Sequence, residues 1–164
     1  MIYTAPKRFT KSLAEWCRAD TDLVTLTAHA ADNLRIKVFT GDNKLDVNSL
    51  IIDVVSMDPW HPDLDHIFVS RVFFIAYALT RLIALDIMGA TVKLLSQSTS
   101  DQSDASFTLN SIRTKGIQID TVDPFGEAAL ETTSIRRTER SDIVVPGRHV
   151  AIVSASIRWE DTTA

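Results

Sequence analysis

The chain is dominated by one apolar run, Ile67 to Met88, with the sequence IFVSRVFFIAYALTRLIALDIM and no Gly or Pro over 22 residues. Strands usually end within about ten residues, so the length of this run predicts a helix. Asp58 or Asp63 would cap its start, and Gly89 would follow its last turn. Its polar residues are scattered around the helix instead of forming one polar face. The pattern therefore predicts a helix that is buried between layers or covered by another chain.

The remaining apolar patterns predict a first helix and several strands around this segment. Phe9, Leu13, Trp16 and Cys17 have the spacing of one helical stripe. A short second helix is expected after Asp20, which can cap it. The predicted strands are Leu34 to Val38, Ser49 to Met57, Ala90 to Leu95, a hairpin of Phe107 to Ile112 with Ile117 to Val122, and a last hairpin of Leu130 to Arg140 with His149 to Trp159.

Length and composition set the domain organisation. With 164 residues and 45% hydrophobic content, the chain fits one domain spanning 1–164, with a flexible N-terminal tail (1–8) and a polar loop (96–106). The net charge is -4 and no basic tract is present, so nucleic acid is not the expected partner. Cys17 is the single cysteine, which excludes an internal disulfide and a cysteine-based zinc site.

Charges inside the apolar run argue against a membrane span. Arg71, Arg81 and Asp86 interrupt it, and charges within a bilayer are costly. The first eight residues contain no apolar signal core. We therefore expect a chain that is made and used in a cytosol.

One segment contains residue types that bind metal ions. Five of its nine residues are acidic or histidine, namely Asp58, His61, Asp63, Asp65 and His66. Two histidines five residues apart do not share a helical face, and acidic residues are expected where a helix begins. Helix capping is therefore the preferred interpretation, and a small metal-dependent enzyme using Asp58, His61, Asp63 and His66 remains an alternative.

Recognisable catalytic motifs are missing from the sequence. There is no nucleophile elbow, P-loop, dinucleotide fingerprint or zinc-protease motif. With five glycines, phosphate-cradling loops are hardly possible. No catalytic, cofactor-binding or metal-binding residue is assigned, and we do not expect an enzyme.

The order of the elements resembles a family of virion proteins. With FTKSLAEWCRADTDL near the start, SLIIDVVSM before the apolar run and ERSDIVVPGRHVAIVSASIRWED at the end, the chain resembles the tail terminator or tail completion (neck) proteins of tailed bacteriophages. The resemblance implies an α+β fold, with a twisted, mainly antiparallel sheet packed against the long apolar helix and the N-terminal amphipathic helix. It also implies a hexameric ring at the head-proximal end of the tail tube, which halts tube polymerisation and joins the tail to head-completion proteins.

The expected partners follow from this resemblance and from the excess of apolar surface. They are other copies of the chain, the tail tube and the neck proteins, with DNA contact only in the lumen of the ring, no membrane and no cofactor. The protein would be located in the virion and assembled in the host cytoplasm. A soluble adaptor that binds one protein partner is a further alternative. The candidate subunit contacts are Trp60, Phe74, Tyr77, Arg136, Arg137, Arg148, Arg158 and Trp159.

Overall fold

The computed structural model describes residues 5–27, 36–38, 48–100, 108–109, 111–126 and 149–163. Its helices are α1 (Ala5–Arg18), α2 (Thr21–Thr27) and α3 (Arg81–Ser100). Its strands are β1 (Ile36–Val38), β2 (Ser49–Val54), β3 (Asp58–His61), β4 (Leu64–Ala78), β5 (Thr108–Leu109), β6 (Ile112–Asp123) and β7 (His149–Asp161). The predicted α+β class is confirmed.

The described strands form one seven-stranded sheet in the order β1-β2-β4-β7-β6-β5, and β3 also pairs with β4. β1 and β2 are parallel, and the other pairs are antiparallel. The longest ladder joins β4 to β7, from Ile67 opposite Glu160 to Ala78 opposite His149. The sheet is therefore mainly antiparallel, as predicted, with β4 and β7 at its centre.

The apolar run is not the single helix that its length predicted. Its first part, up to Ala78, belongs to the 15-residue strand β4, and helix α3 begins only at Arg81. A central strand with both faces buried contains a nearly continuous run of β-branched and aromatic residues, which explains the pattern. Gly89 lies inside α3 and does not end it. None of the helices in the described part of the chain has the length and apolar content needed to cross a bilayer.

Three other predictions of local structure are wrong. Ala90 to Leu95, predicted as a strand, lies in α3. The predicted hairpin turn at 113–116 lies inside the continuous strand β6, whose register with β7 shifts around Gly116. The predicted N-terminal tail is partly helical, because α1 begins at Ala5.

Two predicted segments lie partly or wholly outside the described residues. Ser96 to Ser100, the first part of the predicted polar loop, forms the end of α3, and the rest of that loop lies outside. The arm from Leu130 to Arg140 also lies outside.

Several amphipathic patterns were predicted correctly. The stripe of α1 is buried at Phe9, Leu13 and Cys17. The carboxylate of Asp20 caps α2, accepting a hydrogen bond from the backbone N–H of Leu23 at 3.0 Å. Burial raises the pKa of the Cys17 thiol to about 12, with a smaller contribution from Asp20. Cys17 is thus a buried member of the predicted stripe of α1. The strands predicted at Ser49 and His149 are β2 and β7.

The main core lies between the sheet and the helices, with the indole of Trp159 inside it. This indole stacks on the ring of Phe9 at 4.5 Å between centroids, and the ring of Phe68 lies 4.8 Å away. Its Nε1–H donates a hydrogen bond of 2.9 Å to the hydroxyl of Ser70. These contacts fix α1 against the centre of the sheet.

The opposite face of the sheet contains a second buried cluster at the end where β4 finishes and β7 begins. It consists of Ile51, Ile75, Tyr77, Val150 and Ile152, with Phe73 packed beside it. Both faces of β4 are thus buried within one chain over this part of the strand. The expectation that other copies must cover the apolar run is therefore wrong for β4, whereas Leu79 and Leu82 of the same run remain exposed.

Two glycines provide a matched stability prediction. A methyl group at Gly89 would meet no atom within 4 Å, whereas one at Gly126 would lie 2.6 Å from Cγ1 and 3.2 Å from the backbone nitrogen of Ile152. We expect Gly89→Ala to raise the free energy of unfolding by roughly 0.5–1 kcal/mol. We expect Gly126→Ala to lower it by roughly 1–3 kcal/mol. Urea unfolding of both variants measures the two shifts, and a stabilising Gly126→Ala would contradict the close packing against Ile152.

Candidate interaction surface

The residues proposed as subunit contacts fall into three groups. Phe74, Tyr77 and Trp159 are at most 1% exposed inside their own chain, so they offer no surface to a second copy. Arg136, Arg137 and Arg148 lie outside the described residues. Trp60 and Arg158 remain as surface candidates, and the structure brings them together.

Trp60 and Arg158 meet on the sheet face opposite the helices. Trp60 lies in β3 and is 51% exposed. The guanidinium of Arg158 lies over the indole ring, 4.7 Å from its centroid, and Nη2 donates a hydrogen bond of 3.2 Å to the carbonyl of Lys115. A cation over an exposed indole contributes about 0.5–1 kcal/mol, which holds both side chains in a defined position.

This pair forms one wall of a shallow pocket of about 270 Å³. The pocket is lined by Trp60, Val69, Gly116, Ile117, Gln118, Ser156 and Arg158. It thus combines an aromatic ring, aliphatic surface, a hydroxyl, an amide and a cation. This combination suits a mixed apolar and acidic partner surface.

Arg71 adds a second positive charge beside the pocket. It lies opposite Ser156 in the ladder, while Val69 lies opposite Arg158, so the two arginines are diagonal neighbours on the same face. Arg71 is exposed, and its guanidinium has no ion-pair partner among the described residues. The rim of the pocket therefore carries two arginines and one acidic group, because the hydroxyl of Ser156 donates a hydrogen bond of 2.7 Å to the carboxylate of Asp120.

Below the pocket, Glu160 lies beside three other basic side chains. Its carboxylate lies 3.0 Å from Nζ of Lys115, 3.7 Å from Nε of Arg113 and 3.8 Å from Nε2 of His66. The hydrogen bond from Lys115 is the main reason that the pKa of Glu160 is lowered. Unlike Arg71 and Arg158, Lys115 and Arg113 already have an acidic partner.

The segment considered for metal binding lies along the exposed edge of the sheet. Asp58 and His61 lie in the exposed strand β3, and Asp63 lies in the turn to β4, so the predicted helix cap is also wrong. Nδ1 of His61 accepts a hydrogen bond from the backbone N–H of Asp63 at 3.2 Å, whereas His66 pairs with Glu160. Within the part of the chain that the structure describes, no three His, Cys, Asp or Glu side chains are placed to hold a metal ion.

A second exposed surface lies at the other end of the sheet, where β4 leads into α3. Leu82 is 74% exposed, Leu79 43% and Phe125 62%. The guanidinium of Arg81 lies 4.9 Å from the ring centroid of Phe125 and donates hydrogen bonds to the carbonyls of Pro124 and Val150. Sequence reasoning missed this surface because it placed Leu82 inside one continuous buried helix.

An ion pair between α1 and β7 fixes the end of the sheet near the pocket. Arg8 donates hydrogen bonds of 3.0 Å and 2.6 Å to the two carboxylate oxygens of Asp161, which also accepts from the backbone N–H and hydroxyl of Thr163. The Arg8 hydrogen bond lowers the pKa of Asp161 from 3.8 to about 2. The side chain of Asp161 is only 11% exposed, so solvent screens this pair weakly.

We expect Asp161→Asn to lower the free energy of unfolding at neutral pH by about 2 kcal/mol. Because the pKa of Asp161 is depressed in the folded chain, its contribution is complete above pH 4 and is lost as the pH falls towards 2. The wild-type and variant unfolding curves should therefore converge over that interval. Asp22→Asn, which breaks an exposed pair with Lys93, is the control and should change stability by less than about 0.5 kcal/mol. A difference between wild type and Asp161→Asn that persists at pH 2 would contradict this assignment.

Comparison with known proteins does not assign the chain to a family. No protein-family model matches the sequence, and no curated protein matches it. The functional proposal therefore depends on the sequence resemblance, the fold and the exposed surfaces.

Proposed function

We propose that the chain is a structural virion protein that forms a ring at the head-proximal end of a phage tail. The ring caps the tail tube and joins the tail to neck proteins, a role that requires no catalysis. The three sequence stretches that resemble tail terminator proteins lead into or contain α1, β2 and β7. The observation that carries the proposal is the mainly antiparallel sheet packed against helices, the fold class that the resemblance implies, although the long helix is α3 and not the run from Ile67 to Met88.

The exposed surfaces support an assembling protein. Trp60 and Arg158 are of the residue types that dominate binding energy at protein interfaces, and here they are stacked on each other on an open sheet face. The exposed Leu79, Leu82 and Phe125 provide a separate apolar surface at the far end of the sheet. Two different contact surfaces are what a ring subunit needs, because each copy must bind one neighbour on either side.

The buried core suggests how assembly proceeds. Phe74, Tyr77 and Trp159 are enclosed within the chain, so a subunit can fold before it meets a neighbour. Assembly then uses polar and aromatic surface on a preformed subunit, and we expect an interface more polar than that of an obligate dimer. Such an interface suits a ring that must be added once, at the end of tube growth.

Electron microscopy of the purified chain tests this proposal. We expect closed rings of uniform size with a central opening, and we expect a chelator to leave them unchanged. Particles that remain single subunits at every protein concentration would overturn the ring. Loss of the rings after chelation would indicate a metal-dependent assembly instead.

A further inference from the structure

We propose that neighbouring copies join through contact between the Trp60–Arg158 pocket of one copy and the Leu82–Asp86 face of α3 of the next. This inference rests on the proposed ring and identifies the two surfaces that form it. The apolar part of the contact is Leu82 against the pocket, and the polar part is an ion pair between Asp86 and Arg158.

The pocket side offers an unused cation. A guanidinium has five N–H donors, and among the described residues Arg158 uses one of them, to the carbonyl of Lys115. No described carboxylate forms an ion pair with Arg158, although Glu160 in the same strand has three basic neighbours. Arg158 is only partly exposed and is held by Trp60, so a partner carboxylate would bind a cation that is already positioned.

The α3 side offers the matching groups. Leu82 is the most exposed of the large hydrophobic residues described, and Asp86 lies one helical turn later on the same helix face. Asp86 is exposed, and it has no ion pair or hydrogen bond among the described residues.

Most other described aspartates are already engaged. Asp22 pairs with Lys93, Asp123 accepts from the backbone N–H of Phe125, and Asp161 binds Arg8. Asp120 accepts a hydrogen bond from Ser156 of the pocket, and the exposed Asp58 and Asp63 lie in or next to β3 with Trp60, so these three are on the pocket side of the contact. Charge complementarity therefore selects Asp86 as the partner of Arg158.

The pocket and the α3 face lie too far apart in one subunit to touch, so a contact between them must join two copies. The pocket contains Val69, and α3 begins beyond Ala78, nine residues further along β4 and on the other side of the sheet. Nine strand residues span roughly 30 Å, so the surfaces of one subunit cannot meet each other. Each copy would present its pocket to one neighbour and its α3 face to the other. A heterologous contact of this kind forms a ring when the rotation between copies closes.

A charge-swap experiment tests the contact. Arg158→Glu and Asp86→Arg should each shift the assembly towards single subunits, raising the concentration of half-assembly about tenfold or more. The double variant, which restores opposite charges, should recover much of that loss. Light scattering after size separation measures the mass, and circular dichroism checks that each variant is folded. Lys11→Glu, an exposed charge reversal on α1, is the matched control and should leave the assembly unchanged.

The outcomes separate this inference from the proposed function. If the wild-type chain forms rings and both single variants keep them, the proposed contact is wrong and the proposed ring is still supported. If both single variants lose the rings and the double variant recovers none, Arg158 and Asp86 are not partners. If the wild-type chain forms no ring, the proposed function fails, and the contact fails with it.

Discussion

Replacing Trp159 with alanine should lower the free energy of unfolding by about 3–5 kcal/mol. The indole is fully buried, stacks on Phe9, contacts the tilted ring of Phe68, and donates its N–H to Ser70. The truncation leaves a cavity between α1 and the sheet and an unpaired hydroxyl in the core. Because domains are typically stable by only 5–15 kcal/mol, this loss would be visible as a large decrease in the urea midpoint.

The same substitution at Trp60 is the matched control. Trp60 is 51% exposed and contacts Arg158 on the surface, so Trp60→Ala should change the free energy of unfolding by less than about 1 kcal/mol. On the proposed interface it should instead weaken assembly. Equal losses of stability in the two variants would contradict the placement of Trp159 in the core and Trp60 at the surface.

Replacing Phe74 with aspartate should prevent the chain from folding. Phe74 is 1% exposed in the central strand β4, between Ile52 of β2 and Val153 of β7. A carboxylate at this position would be buried without a partner, at a cost of several kcal/mol, which is comparable to the whole stability of a domain. Circular dichroism and solubility of the expressed variant measure the outcome.

Phe125→Asp is the control for this second prediction. Phe125 is 62% exposed, so a carboxylate there stays in water, and the variant should fold. A soluble, cooperatively folded Phe74→Asp would contradict the burial of β4 within the chain. An unfolded Phe125→Asp would show that the contact between Phe125 and Arg81 contributes more to stability than the exposure of Phe125 indicates.

The sequence predicted correctly those elements in which one face is apolar and the other is polar. The stripe of Phe9, Leu13 and Cys17 identified α1 because only one side of that helix is buried. The strand from His149 was recognised from its alternation, and Trp159 lies on its helix-facing side. For β7 the polar alternation is limited to its far end, at Ser156, Arg158 and Glu160, because Val150 and Ile152 on the same face are buried.

The boundary between β4 and α3 could not be predicted from the apolar pattern, because the exposed residues at the boundary, Leu79 and Leu82, are as apolar as the buried residues on either side. The chain passes from strand to helix at Leu79 and Thr80 without a Gly or Pro. One signal was available. Thr80 caps α3, accepting a hydrogen bond from the backbone N–H of Ile83 at its hydroxyl and one from that of Ala84 at its carbonyl. A threonine at this point is a preferred helix start within an otherwise continuous apolar run.

The candidate surface was predicted only in part. Trp60 and Arg158 were both identified from the sequence, but their contact depends on the register that places Val69 opposite Arg158. The pairing of residues that are distant in the sequence cannot be read from the local pattern of apolar and polar residues. The Leu82–Asp86 face was missed because the predicted helix began at Ile67, whereas α3 begins at Arg81. Phe74 was assigned to an interface because the many apolar residues around it were attributed to assembly and not to a central strand.

The most direct test of the account is the native mass of the purified chain over a range of protein concentrations. We expect one closed species whose mass is a fixed multiple of the 18.2 kDa chain, about six copies if the resemblance to tail terminator proteins extends to ring size. A constant mass of 18.2 kDa up to the highest concentrations would contradict it.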